Sequence, residues 1–165
     1  MTKINTLQEL YVEELQILLS GEEQLIEALP KMARAAHSPA LRADFEHHLE
    51  ETRGHAEKLR SLLVSLQARP EAVLCPAMHG LIKAGENRIK LGAPEVVRDA
   101  ALIIAGQRVE HFEIAGYGSA RTLAHLLGHE HAAEVLERIE MQEFATDQKL
   151  TRVAEALNAE ALTQA

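Results

Sequence analysis

Tryptophan is absent from this chain, and two tyrosines and three phenylalanines are its only large aromatics. Ala, Leu and Glu dominate, while valine and isoleucine are modest in number. A core built this way is aliphatic and the composition is helical, not that of a sandwich or barrel. A single cysteine, Cys75, allows no disulfide within the chain. A reducing compartment is therefore expected. The opening MTKINTLQEL lacks the basic-then-apolar form of a signal peptide, and no apolar run approaches the ~20 residues of a membrane span. The expectation is a cytoplasmic protein with no membrane partner. Positive charge is scarce: the formal net charge is -8, which argues against a nucleic-acid partner. There is no phosphate-cradling glycine loop and no serine or cysteine triad signature.

The 165 residues suit one domain spanning 1–165. A first helix is expected from about Thr6 to about Ala35, with Thr6 and Glu9 as a capping box and Pro30 as a site of kinking. A second runs from about Pro39 to about Gln67, with Ser38 at its N-cap. A short helix follows from Pro76 to about Leu91, then long helices from about Pro94 to about Leu127 and from about His129 to about Ala159, with Gly128 between them. The tail is left unassigned. Two hairpins joined by a long crossover give an all-α, ferritin-like four-helix bundle, with a short extra helix in the crossover.

The apolar stripes contain acids. Leu15, Leu18, Glu22, Leu25 and Leu29 lie on one helix face, as do Ile103, Gly106, Glu110, Glu113 and Tyr117, and Leu136, Ile139, Glu143, Asp147 and Leu150. The second helix carries Leu41, Phe45, His48, Thr52, His55, Leu59 and Leu62, with Glu51 on the flank. Buried carboxylates cost several kcal/mol each unless compensated, and few Lys or Arg share these stripes. Glu22 stands fifteen residues before His37 and Glu51 fourteen after it. Glu113 and Glu143 each stand fifteen from Gly128, and Glu110 and Asp147 eighteen and nineteen. Antiparallel helices rise together, so these acids share a level roughly 22 Å from the turns. Metal cations are the economical compensation. Carboxylates with a few imidazoles suit iron or manganese, with two ions per chain.

Bland readings stand beside these. Glu22 reads also as a solvated edge residue, and Glu51 as a surface partner of Arg53 or His55. His48 fits a ligand or a hydrogen-bonded core histidine equally well, and Asp147 a partner of Thr151. His55 reads as structural, His111 as surface or supporting, and His125, His129 and His131 as a solvated loop cluster. Tyr117 reads as core packing with a bonded hydroxyl, or as a phenol bonded to a ligand carboxylate.

The segments GEEQLIEALPKMARAA, HHLEETRGHAEKL, VRDAALIIAGQRVEHFEIAGYGSARTLAHLLG and EFATDQKL resemble the YciF/YciE-like group of bacterial ferritin-like proteins, often linked to stress responses. HLEET and VEHFEIAGYG are the most specific. The resemblance implies a ferritin-like bundle, a homodimer and a dimetal carboxylate site. Its ligands would be Glu22, His48, Glu51, Glu110, Glu113 and Glu143, with Asp147 a weaker carry-over. Here His48 and Glu51 form His-x-x-Glu where di-iron bundles use Glu-x-x-His. Ferrous-ion oxidation and peroxide disproportionation are the chemistries such a site supports. The rival from another class is a non-catalytic helical scaffold or dimerisation protein, whose polar core residues only fix helix register.

Overall fold

The structure, a computed structural model, describes residues 4–163, and helices are the only regular elements among them. They are α1 (Leu7–Ala35), α2 (Pro39–Ser65), α3 (Pro76–Ile89), α4 (Glu95–Leu126) and α5 (Glu130–Thr163). The ends follow local chemistry. Thr6 and Glu9 form the reciprocal capping box, and Ser38 accepts from the backbone N–H of Leu41. Cys75 caps α3 through its sulfur, 3.4 Å from the Met78 nitrogen. Gly128 adopts φ +76, the left-handed conformation a glycine takes without strain, and turns α4 into α5. Pro30 lies inside α1, which continues for another turn beyond it. The tail left open by the sequence is helical to Thr163.

α1 packs against α2 and α4, and α5 against α4 and α2, while α3 lies on α1 and α4. Cross-helix contacts set the directions. Arg60 reaches Glu23 from α2 to α1, and Arg121 reaches Glu137 and Glu140 from α4 to α5, so both hairpins are antiparallel. At Gly116 a Cβ would sit 2.8 Å from a Leu18 methyl, so a side chain there would have to displace the Leu18 side chain where α1 meets α4.

The apolar interior forms two clusters. One gathers Leu25, Leu29, Met32, Phe45, Ile103, Val109 and Leu150 with their neighbours. The other gathers Tyr11, Leu15, Leu18, Leu59, Tyr117, Leu136 and Ile139. On each long helix the residues between the clusters are polar and buried: Glu22 on α1, His48, Thr52 and His55 on α2, Glu110 and Glu113 on α4, and Glu143 and Thr146 on α5. A polar layer thus cuts the core in two.

One buried acid outside the layer has a plain structural task. Asp99 of α4 is fully buried, and its two oxygens accept the backbone N–H groups of His37 at 2.9 Å and Ser38 at 2.7 Å. It ties the α1–α2 turn to the start of α4. Asp99→Ala would strand both amides and is expected to cost about 2–4 kcal/mol in urea unfolding, with Asp99→Asn, which keeps one acceptor, losing about half as much. Equal stability of the three proteins would contradict this assignment.

Candidate metal centre

The layer is built one helix at a time. On α2, His48 and His55 stand two turns apart on one face, and the Thr52 hydroxyl between them donates to the His48 carbonyl at 2.8 Å. The His48 ring lies between two acids, with Nε2 3.4 Å from Glu110 and Nδ1 3.9 Å from Glu143. His55 Nδ1 lies 2.9 Å from Glu143 and 3.6 Å from Glu22. Two sets of groups have ligand atoms within 4.8 Å of one another: His48, Glu110, Glu113 and Glu143, and Glu22, His55 and Glu143. Glu143 belongs to both and stands at the centre.

The hydrogen bonding in the layer is incomplete. Glu22 Oε2, both nitrogens of His48, His55 Nδ1, Glu110 Oε2, Glu113 Oε2 and both oxygens of Glu143 are buried without a hydrogen-bond partner. So is Glu51 Oε2 at the margin. Buried polar atoms are ordinarily satisfied, and this many orphans converging from four helices form a donor set that could hold a metal ion. No Lys or Arg contacts the cluster among the described ion pairs and hydrogen bonds. The Tyr117 hydroxyl donates to Glu22 Oε1 in a short bond, and its ring meets His55 edge-on at 6.2 Å.

Electrostatics follow from burial. Glu110 and Glu113 are held well above the usual carboxylate range, first by burial and then by neighbouring acids, chiefly Glu143 for Glu110 and Glu22 for Glu113. Burial raises Glu143 as well, to about 7, against the restraint of the His55 ring 2.9 Å away. Burial pushes His55 down, but Glu143 and Glu22 outweigh it and take the ring up to about 10. His48 goes the other way, to about 3, through burial and the positive charge of His55. Tyr117 is raised well above its ordinary value by burial and by Glu22.

The sequence-derived candidates divide. Glu22, His48, Glu110, Glu113 and Glu143 come together. Glu51 lies at the rim, its side chain 18 % exposed, accepting from Gln142 at 3.2 Å and standing 3.5 Å from His47. Asp147 lies outside the two clusters, where Gln107 donates to it at 3.1 Å and His111 stands 3.6 Å away. Two contributors were not among the sequence candidates. The sequence suggests a structural role for His55, although its place seven residues beyond His48 on one face is a signal for the cluster. Gln142 had none: it donates to Glu51 and offers its carbonyl to His55 Nε2 at 3.2 Å. Because the Glu51 carboxylate needs a donor, the amide nitrogen faces Glu51 and the oxygen faces His55. Nδ1 of His55 is thereby left pointing at Glu143 and Glu22. The loop histidines are engaged elsewhere, His129 stacked on Tyr11 at 5.6 Å and His125 2.9 Å from Glu130.

With this geometry in view, comparison with known proteins is informative. Residues 6–163 match the family model described as "Domain of unknown function (DUF892)". Protein YciF of Escherichia coli K12 is 41 % identical over 152 residues, 92 % of each chain. The chain belongs to the DUF892 family. Among solved structures, that of the E. coli stress protein YciF aligns with TM-score 0.91 and 39 % identity, covering 94 % of this chain and 99 % of that one. YcfI of Rhodopseudomonas palustris aligns with TM-score 0.86 and 37 % identity, over 90 % and 95 % of the two chains. No helix among the described residues of this family member is long and apolar enough to cross a membrane.

The raised acids have a measurable consequence. Unfolded, Glu titrates near 4.5 and His near 6.5. From pH 6.5 to 8.5 the native metal-free protein therefore binds more protons than the unfolded chain, through Glu110, Glu113, Glu143 and His55. Its stability is expected to fall across that interval, with His48, neutral in the native state but half protonated at pH 6.5 in the unfolded chain, opposing the fall only at the lower end. Thermal melts of the metal-free protein are expected to drop by roughly 2–4 °C for each kcal/mol lost. A midpoint that stays flat or rises would mean that the acids are ionised and compensated within the protein.

Proposed function

We propose that this chain is a ferritin-like protein whose Glu22, His48, His55, Glu110, Glu113 and Glu143 hold two iron or manganese ions. The observation that carries the reading is the layer of orphaned, buried carboxylate and imidazole atoms contributed by all four long helices. Four buried glutamates would balance two divalent cations in charge. Glu143, common to both groups, suits the bridging position, and Glu51 at the rim a role in holding Gln142. Mixed oxygen and nitrogen donors favour iron or manganese over the oxygen-only sites of magnesium or calcium. Such ions, when bound, supply electrons to dioxygen or peroxide. The long antiparallel hairpins, with α3 in the crossover between them, support the ferritin-like reading.

The protein's own groups would do the rest. Ligand binding displaces the protons held on Glu110, Glu113 and Glu143. Gln142 keeps the His55 ring oriented, and Tyr117 fixes one oxygen of Glu22 and leaves the other to coordinate. The two apolar clusters on either side exclude water. The family relationship to a protein described as a stress protein supports a bacterial stress-response role, and a cytoplasmic homodimer is part of the same reading.

Elemental analysis of natively purified protein, prepared without chelator or affinity-resin metal, tests this. About two iron or manganese ions per chain are expected, lost in Glu22→Ala/Glu143→Ala while the helical fold persists. Metal-free protein that takes up neither ferrous nor manganous ion would overturn the metal reading and favour a scaffold.

A further inference from the structure

α3 walls a cavity of about 40 Å³, a few times the roughly 10–15 Å³ that one water requires. Its sides are Leu29 and Met32 of α1, Phe45 of α2, Leu81 and Ile82 of α3 and Val109 of α4. One end differs in kind. His48 and Glu110 line it, each 2 % exposed, and both His48 nitrogens and Glu110 Oε2 lack a hydrogen-bond partner. Toward solvent the lining includes Lys31 and Glu86, whose side chains are 48 % and 29 % exposed and joined at 3.2 Å, beside the partly exposed Leu81, Ile82 and Ile89. One mostly apolar cavity is therefore lined both by a surface ion pair and by one edge of the acid and imidazole layer.

Water in such a passage finds partners at its two ends and none along its sides, so the middle favours apolar occupants. Hydrogen peroxide would give up hydrogen bonds to water on entry without replacement, at a cost of several kcal/mol. Dioxygen has none to give up. We propose that this cavity is a binding passage that delivers dioxygen to the His48–Glu110 end of the metal centre. The inference rests on the metal-centre reading and deepens it by naming the substrate. One dioxygen that takes one electron from each of two ferrous ions, which become ferric, and two protons leaves as hydrogen peroxide, so a single turnover balances with the ferrous ions as reductant.

Xenon, an apolar probe that needs no metal, tests the passage alone. Crystals of metal-free protein under xenon pressure should show an atom among Met32, Phe45 and Val109. The atom should be absent in Val109→Phe or, should that variant not fold, in Ile82→Phe. With ferrous ion bound, the same variant should keep its metal content but lose at least roughly tenfold in the rate of oxidation by dioxygen, with oxidation by added peroxide unchanged. No xenon in the unaltered protein, or an unchanged dioxygen rate in a folded, filled variant, would overturn the proposal. Because xenon binding and metal content are read separately, failure of the passage is distinguishable from failure of the metal centre.

Discussion

Like charges confined together in a dry layer are the constraint on which the rest of this structure depends. Glu22, Glu110, Glu113 and Glu143 are each no more than 2 % exposed, and the cationic group among them is a single imidazole, His55. Each long helix contributes to the layer, so no single helix can slide to relieve the repulsion without breaking the apolar packing on both sides. The remaining routes are protonation and cation binding. Burial and mutual repulsion raise three of the acids in the metal-free protein, which favours the first route there. A sequence selected only for stability would have placed leucine at these positions, since replacing buried charge with well-packed apolar groups is often neutral or stabilising. Retaining the acids makes sense where a cation repays their cost.

Much of this was legible because helix periodicity is a strong signal. The acids stood out as interruptions of Leu-rich stripes, and capping residues marked the helix starts. Level-matching worked for α4 and α5 because the Gly128 turn is tight: Gln107 meets Asp147 and Arg121 meets Glu140, close to the expected register. It worked less well for α1 and α2. Glu22 meets His55 and Glu23 meets Arg60, so α2 is set several residues further along than a turn centred on His37 implies, and Glu51 falls at the rim. A stripe position tells which face a residue occupies but not the relative rise of two helices. That rise depends on side-chain packing and, here, on Asp99, whose link to the turn has no local signature. Gln142 was silent for a similar reason, since an amide flanking a stripe looks like ordinary solvated surface until its two partners are in place.

The two kinds of surface around the layer divide the work. Polar groups beside the layer, Gln142 at its rim and the buried Tyr117, orient His55 and Glu22. Apolar groups toward α3 form an approach that polar molecules enter only at a cost. α3 is therefore more than a connector: Leu81, Ile82, Glu86 and Ile89 wall the cavity that His48 and Glu110 also line.

The central claim is that metal ions satisfy the layer, and crystals grown with manganous ion test it most directly. Anomalous scattering at the manganese edge should give two peaks on either side of Glu143, within reach of Glu22 and His55 on one side and of His48, Glu110 and Glu113 on the other. Anomalous density confined to surface carboxylates, with none in the layer, would contradict the account.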